Sequence, residues 1–93
     1  MRKISELAAN ALIKGFEFRQ SNTEVTSDQC LYLHGHRIAW VDDGILKICL
    51  CNWNTLTTRE RLNALPGVKL TVRKGELYLN GEKISSVDVY SID

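Results

Sequence analysis

Leu31-Tyr32-Leu33-His34-Gly35-His36-Arg37-Ile38-Ala39-Trp40-Val41-Asp42 returns, altered, as Leu77-Tyr78-Leu79-Asn80-Gly81-Glu82-Lys83-Ile84-Ser85-Ser86-Val87-Asp88. Seven of the twelve paired positions are identical: Leu-Tyr-Leu, then Gly, Ile, Val and Asp. Arg37 and Lys83 match in charge. Each copy reads as a tight β-hairpin. His34-Gly35 and Asn80-Gly81 fall at the two central positions of a type I′ turn, both of which need φ > 0. Leu33 then faces His36, Tyr32 faces Arg37 and Leu31 faces Ile38. Leu31, Leu33 and Ile38 share one face, as do Leu77, Leu79 and Ile84. Tyr32 with Arg37, and Tyr78 with Lys83, form ring-and-cation pairs on the other.

The stretches around the repeat fit an α+β chain: an antiparallel meander sheet of two related β-hairpin units, an N-terminal helix packed on the sheet and a short crossover helix. Ile4, Leu7, Ala8, Ala11 and Leu12 recur at the helical period, with Ser5, Glu6 and Asn10 off that face. Lys14 and then Gly15 supply a C-terminal signal, so this helix spans about 3–14. Phe16 and Phe18 alternate with charges and open the first sheet unit, about 16–52. Thr57-Thr58-Arg59-Glu60 reads as a capping box with Thr57 as N-cap, leading a helix over about 58–65. Leu62 and Leu65 point inward, and Pro66-Gly67 ends it. Val68, Leu70 and Val72 begin the second unit, about 68–90, and a turn at Lys74-Gly75 sets Val72 opposite Leu77.

Two registers are less direct. A two-residue turn at Asp43-Gly44 places Trp40 beside Lys47 and Cys49. A three-residue loop with a bulge at Gly44 places it with Leu46, Ile48 and Leu50, and the apolar pattern favours the loop. Cys49 and Cys51 then lie on the outer face. Val87 and Val89 alternate out of phase with Ile84, which predicts a bulge near Ser85-Ser86.

At 93 residues with a formal charge of +1, the chain is one small domain without a strong pull on nucleic acid or anionic membrane. Three cysteines, an odd number, suit a reducing cytoplasm better than a secreted disulfide framework. Polar Ser5, Glu6 and Asn10 after Met1-Arg2-Lys3 argue against a signal peptide, and no apolar run is long enough to span a membrane.

Candidate chemistry is sparse. His34/His36 and Cys49/Cys51 are each spaced by two, as four zinc ligands would be, but His34 sits in a turn and no Cys-x-x-Cys knuckle is present. Neither histidine has a nucleophile with an evident third member. The expectation is therefore no metal, no cofactor and no enzyme. Trp53, Arg59 and Arg61 cluster about a helix N-terminus, where a phosphate and a stacked base can be held. Tyr32, Arg37, Lys47, Tyr78 and Lys83 make an outer surface of aromatics among cations, the composition of interaction hot spots. The candidate partner-binding residues are Tyr32, His34, His36, Arg37, Trp53, Arg59, Arg61, Tyr78 and Lys83.

One further pattern spans most of the chain. Asn22-Thr23-Glu24-Val25, the Leu31–Ala39 hairpin, Trp53-Asn54-Thr55, Thr57 to Val68 and Leu77-Tyr78-Leu79-Asn80-Gly81 together resemble small uncharacterised accessory proteins of tailed bacteriophages and prophages, over about residues 22–84. The N-terminal helix and Ser85 to Asp93 lie outside the resemblance, the latter lacking that family's Trp-rich ending. The resemblance implies a non-enzymatic protein of the host cytoplasm that binds and inhibits or redirects a host protein, a defence target of the anti-CRISPR type included. The alternative is a small nucleic-acid-binding accessory protein. Homodimerisation through an edge strand or the outer face is a further expectation.

Overall fold

The computed structural model describes residues 3–92. The signal-peptide reading at Met1-Arg2 and the final residue of the tail, Asp93, fall outside that range. The chain is α+β. It runs α1 (Lys3–Lys14), β1 (Phe18–Gln20), β2 (Thr23–Val25), β3 (Cys30–Leu33), β4 (His36–Asp42), β5 (Ile45–Ile48), α2 (Leu56–Asn63), β6 (Leu70–Arg73), β7 (Glu76–Leu79), β8 (Glu82–Lys83) and β9 (Tyr90–Ile92).

The repeat builds two sheets, not one. The first is a six-stranded antiparallel sheet in the order β1-β2-β3-β4-β5-β9, and the second is a three-stranded sheet, β6-β7-β8. Both turn their leucines into the same apolar cluster, which joins Leu31, Leu33, Ile38 and Ile48 to Leu70, Leu77 and Leu79. The hairpin turns are as the residues predict. His34 and Gly35 have φ of 52° and 80°, and Asn80 and Gly81 have 51° and 89°. Tyr32 opposes Arg37, and Tyr78 opposes Lys83, but the ring-and-cation contacts are exchanged: Arg37 lies over Trp40, Arg73 over Tyr78, and Lys83 turns to Glu76.

The repeat is longer than its identical residues. A strand precedes each hairpin in matching register: Thr23 and Val25 oppose Leu33 and Leu31, while Leu70 and Val72 oppose Leu79 and Leu77. The first turn residue is tied back in the same way in both. The His34 N–H donates to Asn22 O at 2.9 Å, and the Asn80 N–H to Lys69 O at 2.8 Å. Each unit is thus three strands, β2-β3-β4 and β6-β7-β8.

Several expectations are corrected. Asp43 and Gly44, at φ 54° and 78°, form a two-residue turn that pairs Val41 with Leu46 and Trp40 with Lys47. Trp40 therefore lies on the outer face, where Arg37 Cζ sits 4.0 Å from its ring centroid. The bulge lies earlier, between the Tyr32–Arg37 and Leu31–Ala39 pairs, so Leu31 faces Ala39 and both Ile38 and Ala39 are buried. The extra residue does the parity change that a longer loop would have done. Cys49 is buried and Cys51 half-buried beyond the end of β5, rather than on an outer strand face.

Helix α1 is rotated from its expected setting. Ser5, Ala8, Ala9, Ala11 and Leu12 are buried, whereas Leu7 is 39% exposed. Helix α2 starts two residues early, because Thr55 and not Thr57 is the N-cap; its Oγ1 accepts the Thr58 N–H at 3.2 Å. Leu62 and Leu65 are buried, as expected. Phe16 and Val72 are exposed. The tail turns at Ser86-Val87 with Val87 and Val89 in solvent, then adds β9 to β5 instead of extending the second unit.

Candidate functional site

Beyond β5 the backbone makes a tight left-handed turn, with Cys51 and Asn52 at φ 55° and 62° and the Trp53 N–H bonded to Leu50 O at 2.8 Å. Asn52 is anchored by donating its N–H to Ser86 O at 2.8 Å. This turn carries Trp53 to the tip of the first hairpin. Its ring centroid lies 5.1 Å from that of His36, with the planes inclined by 33°. Such an offset aromatic contact gives both rings a fixed setting.

Between this ring pair and the start of α2 lies a cleft of about 220 Å³, lined by Leu33, His34, His36, Ile38, Trp53, Thr55, Thr57 and Thr58. Its base is buried Leu33, Ile38 and Thr58. Thr58 turns its hydroxyl to Thr55 Oγ1 at 3.0 Å, so the polar atom is engaged and the remaining surface is largely apolar. At the rim, His34 Nε2 lies 3.3 Å from Asn22 Nδ2. There the amide donates and the ring nitrogen accepts. Trp53 is 51% exposed, and Leu56, at the first turn of α2, is 62% exposed.

His34, His36 and Trp53 are thus brought together; the sequence suggested the histidines and the tryptophan separately. Arg59 stays near this end of α2, donating from Nη1 to Asn54 O at 3.3 Å. Tyr32 and Arg37 belong to the opposite face of the sheet, and Tyr78 and Lys83 to the second sheet. Arg61 leaves the surface altogether. It is 3% exposed, and donates from Nε to Thr23 Oγ1 at 3.0 Å and from Nη1 to Ser5 Oγ at 2.8 Å. It bolts α2 to β2 and α1. Leu33, Ile38, Thr55 and Thr58 were missed as lining residues, since the cleft joins segments far apart in sequence.

Tyr78 is flanked by Arg73, 5.3 Å from its ring centroid, while Lys83 Nζ reaches Glu76 Oε1 at 2.9 Å. The hydrogen bond and charge of Lys83 lower the Glu76 carboxyl from its ordinary range, and Glu76 raises the Lys83 ammonium in turn. Cys51 Sγ donates to Arg37 O at 2.9 Å. Burial, reinforced by the neighbouring Cys49 thiol, pushes the Cys51 thiol up. Among the described residues no group of three or more His, Cys, Asp or Glu is placed to hold a metal ion, and no helix is long and apolar enough to cross a membrane.

The sequence model of one family, described as Kyanoviridae Gp96 protein, matches residues 1–92. The chain belongs to that family of phage proteins, and the match takes in the N-terminal helix and the tail. No curated protein and no solved structure matches it.

Proposed function

We propose that this phage protein is a non-enzymatic binder of a host protein, acting in the host cytoplasm to inhibit or redirect its target. The observation that carries the reading is the cleft between the first hairpin and α2. Its volume of about 220 Å³ is below the roughly 300–1,000 Å³ usual for small-molecule sites. That suits one apolar side chain of a partner. An aromatic ring standing half out of a protein beside such a recess is the composition and shape of an interaction hot spot. Leu56 extends the apolar surface along α2, and Thr57 with the two histidines supplies a polar rim.

The alternative, nucleic-acid contact, draws on the exposed Trp53 ring and on Arg59 near the N-terminus of α2. It is weakened because Arg61 is committed to Ser5 and Thr23 inside the fold, and because the chain's charge is only +1. A defence protein of the anti-CRISPR type remains one class of target within the first reading.

The test is affinity capture from a bacterial host lysate with the natural chain and with Trp53→Ala. The binding reading expects a stoichiometric host protein on the natural chain that Trp53→Ala fails to retain. A capture profile that is the same for both chains would sink it. A gel shift with DNA or RNA at low salt, abolished by Trp53→Ala, would transfer the cleft to the nucleic-acid reading.

A further inference from the structure

The two sheets have four edges, and beside three of them another part of the chain stands close. On β6, Asn63 mimics a neighbouring strand: its Oδ1 accepts the Leu70 N–H at 2.6 Å and its Nδ2 donates to Leu70 O at 3.2 Å. Strands β8 and β9 face each other across one cleft, with the Ser85 N–H bonded to the Tyr90 hydroxyl at 2.8 Å. That leaves β1, Phe18–Gln20, whose flank carries exposed Phe16. An open strand edge of this kind is a template for another strand.

The hydrogen-bond alternation fixes which groups β1 offers. Thr26 N–H to Cys30 O and His34 N–H to Asn22 O turn the backbone of Asn22, Glu24 and Thr26 toward β3. Thr23 and Val25 therefore turn toward β1, where they oppose Gln20 and Phe18. By the antiparallel alternation, Arg19 and Glu17 present their N–H and C=O outward. A second strand bonds there only in a register that sets outward groups against outward groups.

One self-pairing meets that demand and complements the side chains. With the two-fold axis at Phe18, Glu17 of each copy opposes Arg19 of the other as a hydrogen-bonded pair. Phe18 opposes its own copy at the close, non-bonded position. Arg19 already opposes Glu24 across β1 and β2, so the outer face would read Glu24, Arg19, Glu17 of the copy: alternating charge. On the inner face Phe16 would lie diagonal to Phe18 of the copy. A register centred on Arg19 instead sets arginine against arginine.

Helix α1 fits the same arrangement. It packs over β1 and β2 and reaches β3 and β4, so strand spacing would bring the helices of two copies to roughly 10–14 Å, near enough for long side chains to meet. Glu6, Ala9, Asn10 and Ile13 line a cleft with Ala64 and Pro66 on the α2 side. Leu7 lies on the flank of the helix away from that cleft and is 39% exposed.

We propose that β1 is a homodimerisation edge, joining two copies of this chain antiparallel about Phe18 into one continuous twelve-stranded sheet with reciprocal Glu17–Arg19 pairs. The proposal stands apart from the cleft at Trp53. Sedimentation equilibrium from about 1 to about 500 μM should show a monomer–dimer equilibrium. Glu17→Arg and Arg19→Glu should each weaken the dimer roughly tenfold or more, because each reversal is felt twice by symmetry. The variant E17R/R19E/E24R, which reverses the pair and keeps residue 19 opposite an unlike charge on β2, should recover the original affinity to within about threefold. Amide exchange on the natural chain gives a second reading, since the Arg19 N–H should slow as concentration rises. A chain that stays monomeric to the top of the range overturns the proposal. So does a dimer indifferent to the single reversals or not restored by the triple reversal, or an Arg19 amide that exchanges equally fast when dilute and concentrated.

Discussion

The three-stranded units β2-β3-β4 and β6-β7-β8 share a register, a turn type and the backbone tie behind the turn, yet they differ in what the turn residue does. In the second unit Asn80 spends its whole side chain on structure. Its Oδ1 accepts the Lys69 N–H at 3.0 Å and its Nδ2 donates to Gly67 O at 2.9 Å. The amide closes the turn onto the segment that follows α2. In the first unit His34 occupies that place but sends its ring to the rim of a cleft, and His36, in the place of Glu82, stacks beside Trp53. The same scaffold is closed off in one copy and open in the other.

A second difference lies at the strand before the hairpin. Position 23 is a buried threonine and the matching position 70 a buried leucine. Thr23 is polar because Arg61 reaches it, and Arg61 in turn holds Ser5. The first unit is therefore locked to both helices by a buried guanidinium. The second is held by apolar contact and by Asn63.

The largest effect should separate the units by their matched isoleucines. Ile38 is buried and Ile84 half-buried. Ile38→Ala should cost about 3–4 kcal/mol in chemical denaturation and Ile84→Ala about 1–2 kcal/mol. Equal costs would mean the two units are equally central to the core. Next comes Arg61→Leu, which takes the guanidinium from buried Ser5 and leaves the Thr23 hydroxyl with Asn22 Oδ1, to which it donates at 2.9 Å; it should lower stability by about 2–3 kcal/mol. A near-neutral result would show that the guanidinium is dispensable as a lock.

Exchanging the turn residues sharpens the contrast. Asn80→His should cost about 1–2 kcal/mol through two lost side-chain bonds. The reverse change His34→Asn should be neutral or slightly stabilising, since asparagine tolerates φ > 0 well. Thermal unfolding of the two variants reads this directly. The smallest effect is at Lys83, whose removal in Lys83→Ala should let the Glu76 carboxyl rise to its ordinary range in an NMR titration. Glu76 is depressed in the folded chain. Its contribution is thus present above the unfolded carboxylate range and lost as pH falls through the folded one. A Glu76 titration unchanged in Lys83→Ala would assign the shift to another group.

What the sequence carried was local. Helix α1 has the predicted ends, and the pairs Tyr32–Arg37, Tyr78–Lys83 and Val72–Leu77 follow from turn chemistry alone. Parity failed at Trp40, because a bulge placed at Gly44 and one placed between Arg37 and Ala39 solve the same alternation. Only the packing of Ile38 and Ala39 together chooses between them. Ser5 and Arg61 read as surface residues because their polar groups meet only across the fold, Arg61 reaching Ser5 on α1 and Thr23 on β2. The cleft was half legible: the copies differ at His34 and His36, but the turn at Cys51-Asn52 that delivers Trp53 to them is a non-local event. The division into two sheets was hidden in the tail, where β9 joins β5.

In the proposed function the first unit, and not the second, carries the binding surface. The affinity of the captured host protein for three variants, Trp53→Ala, His36→Glu and Glu82→His, distinguishes the two units. His36→Glu gives the first copy the residue of the second. Trp53→Ala and His36→Glu should each weaken binding by about tenfold or more, the ordinary effect of a hot-spot residue, while Glu82→His leaves it unchanged. Full affinity in Trp53→Ala and His36→Glu, with binding lost in Glu82→His, would contradict it.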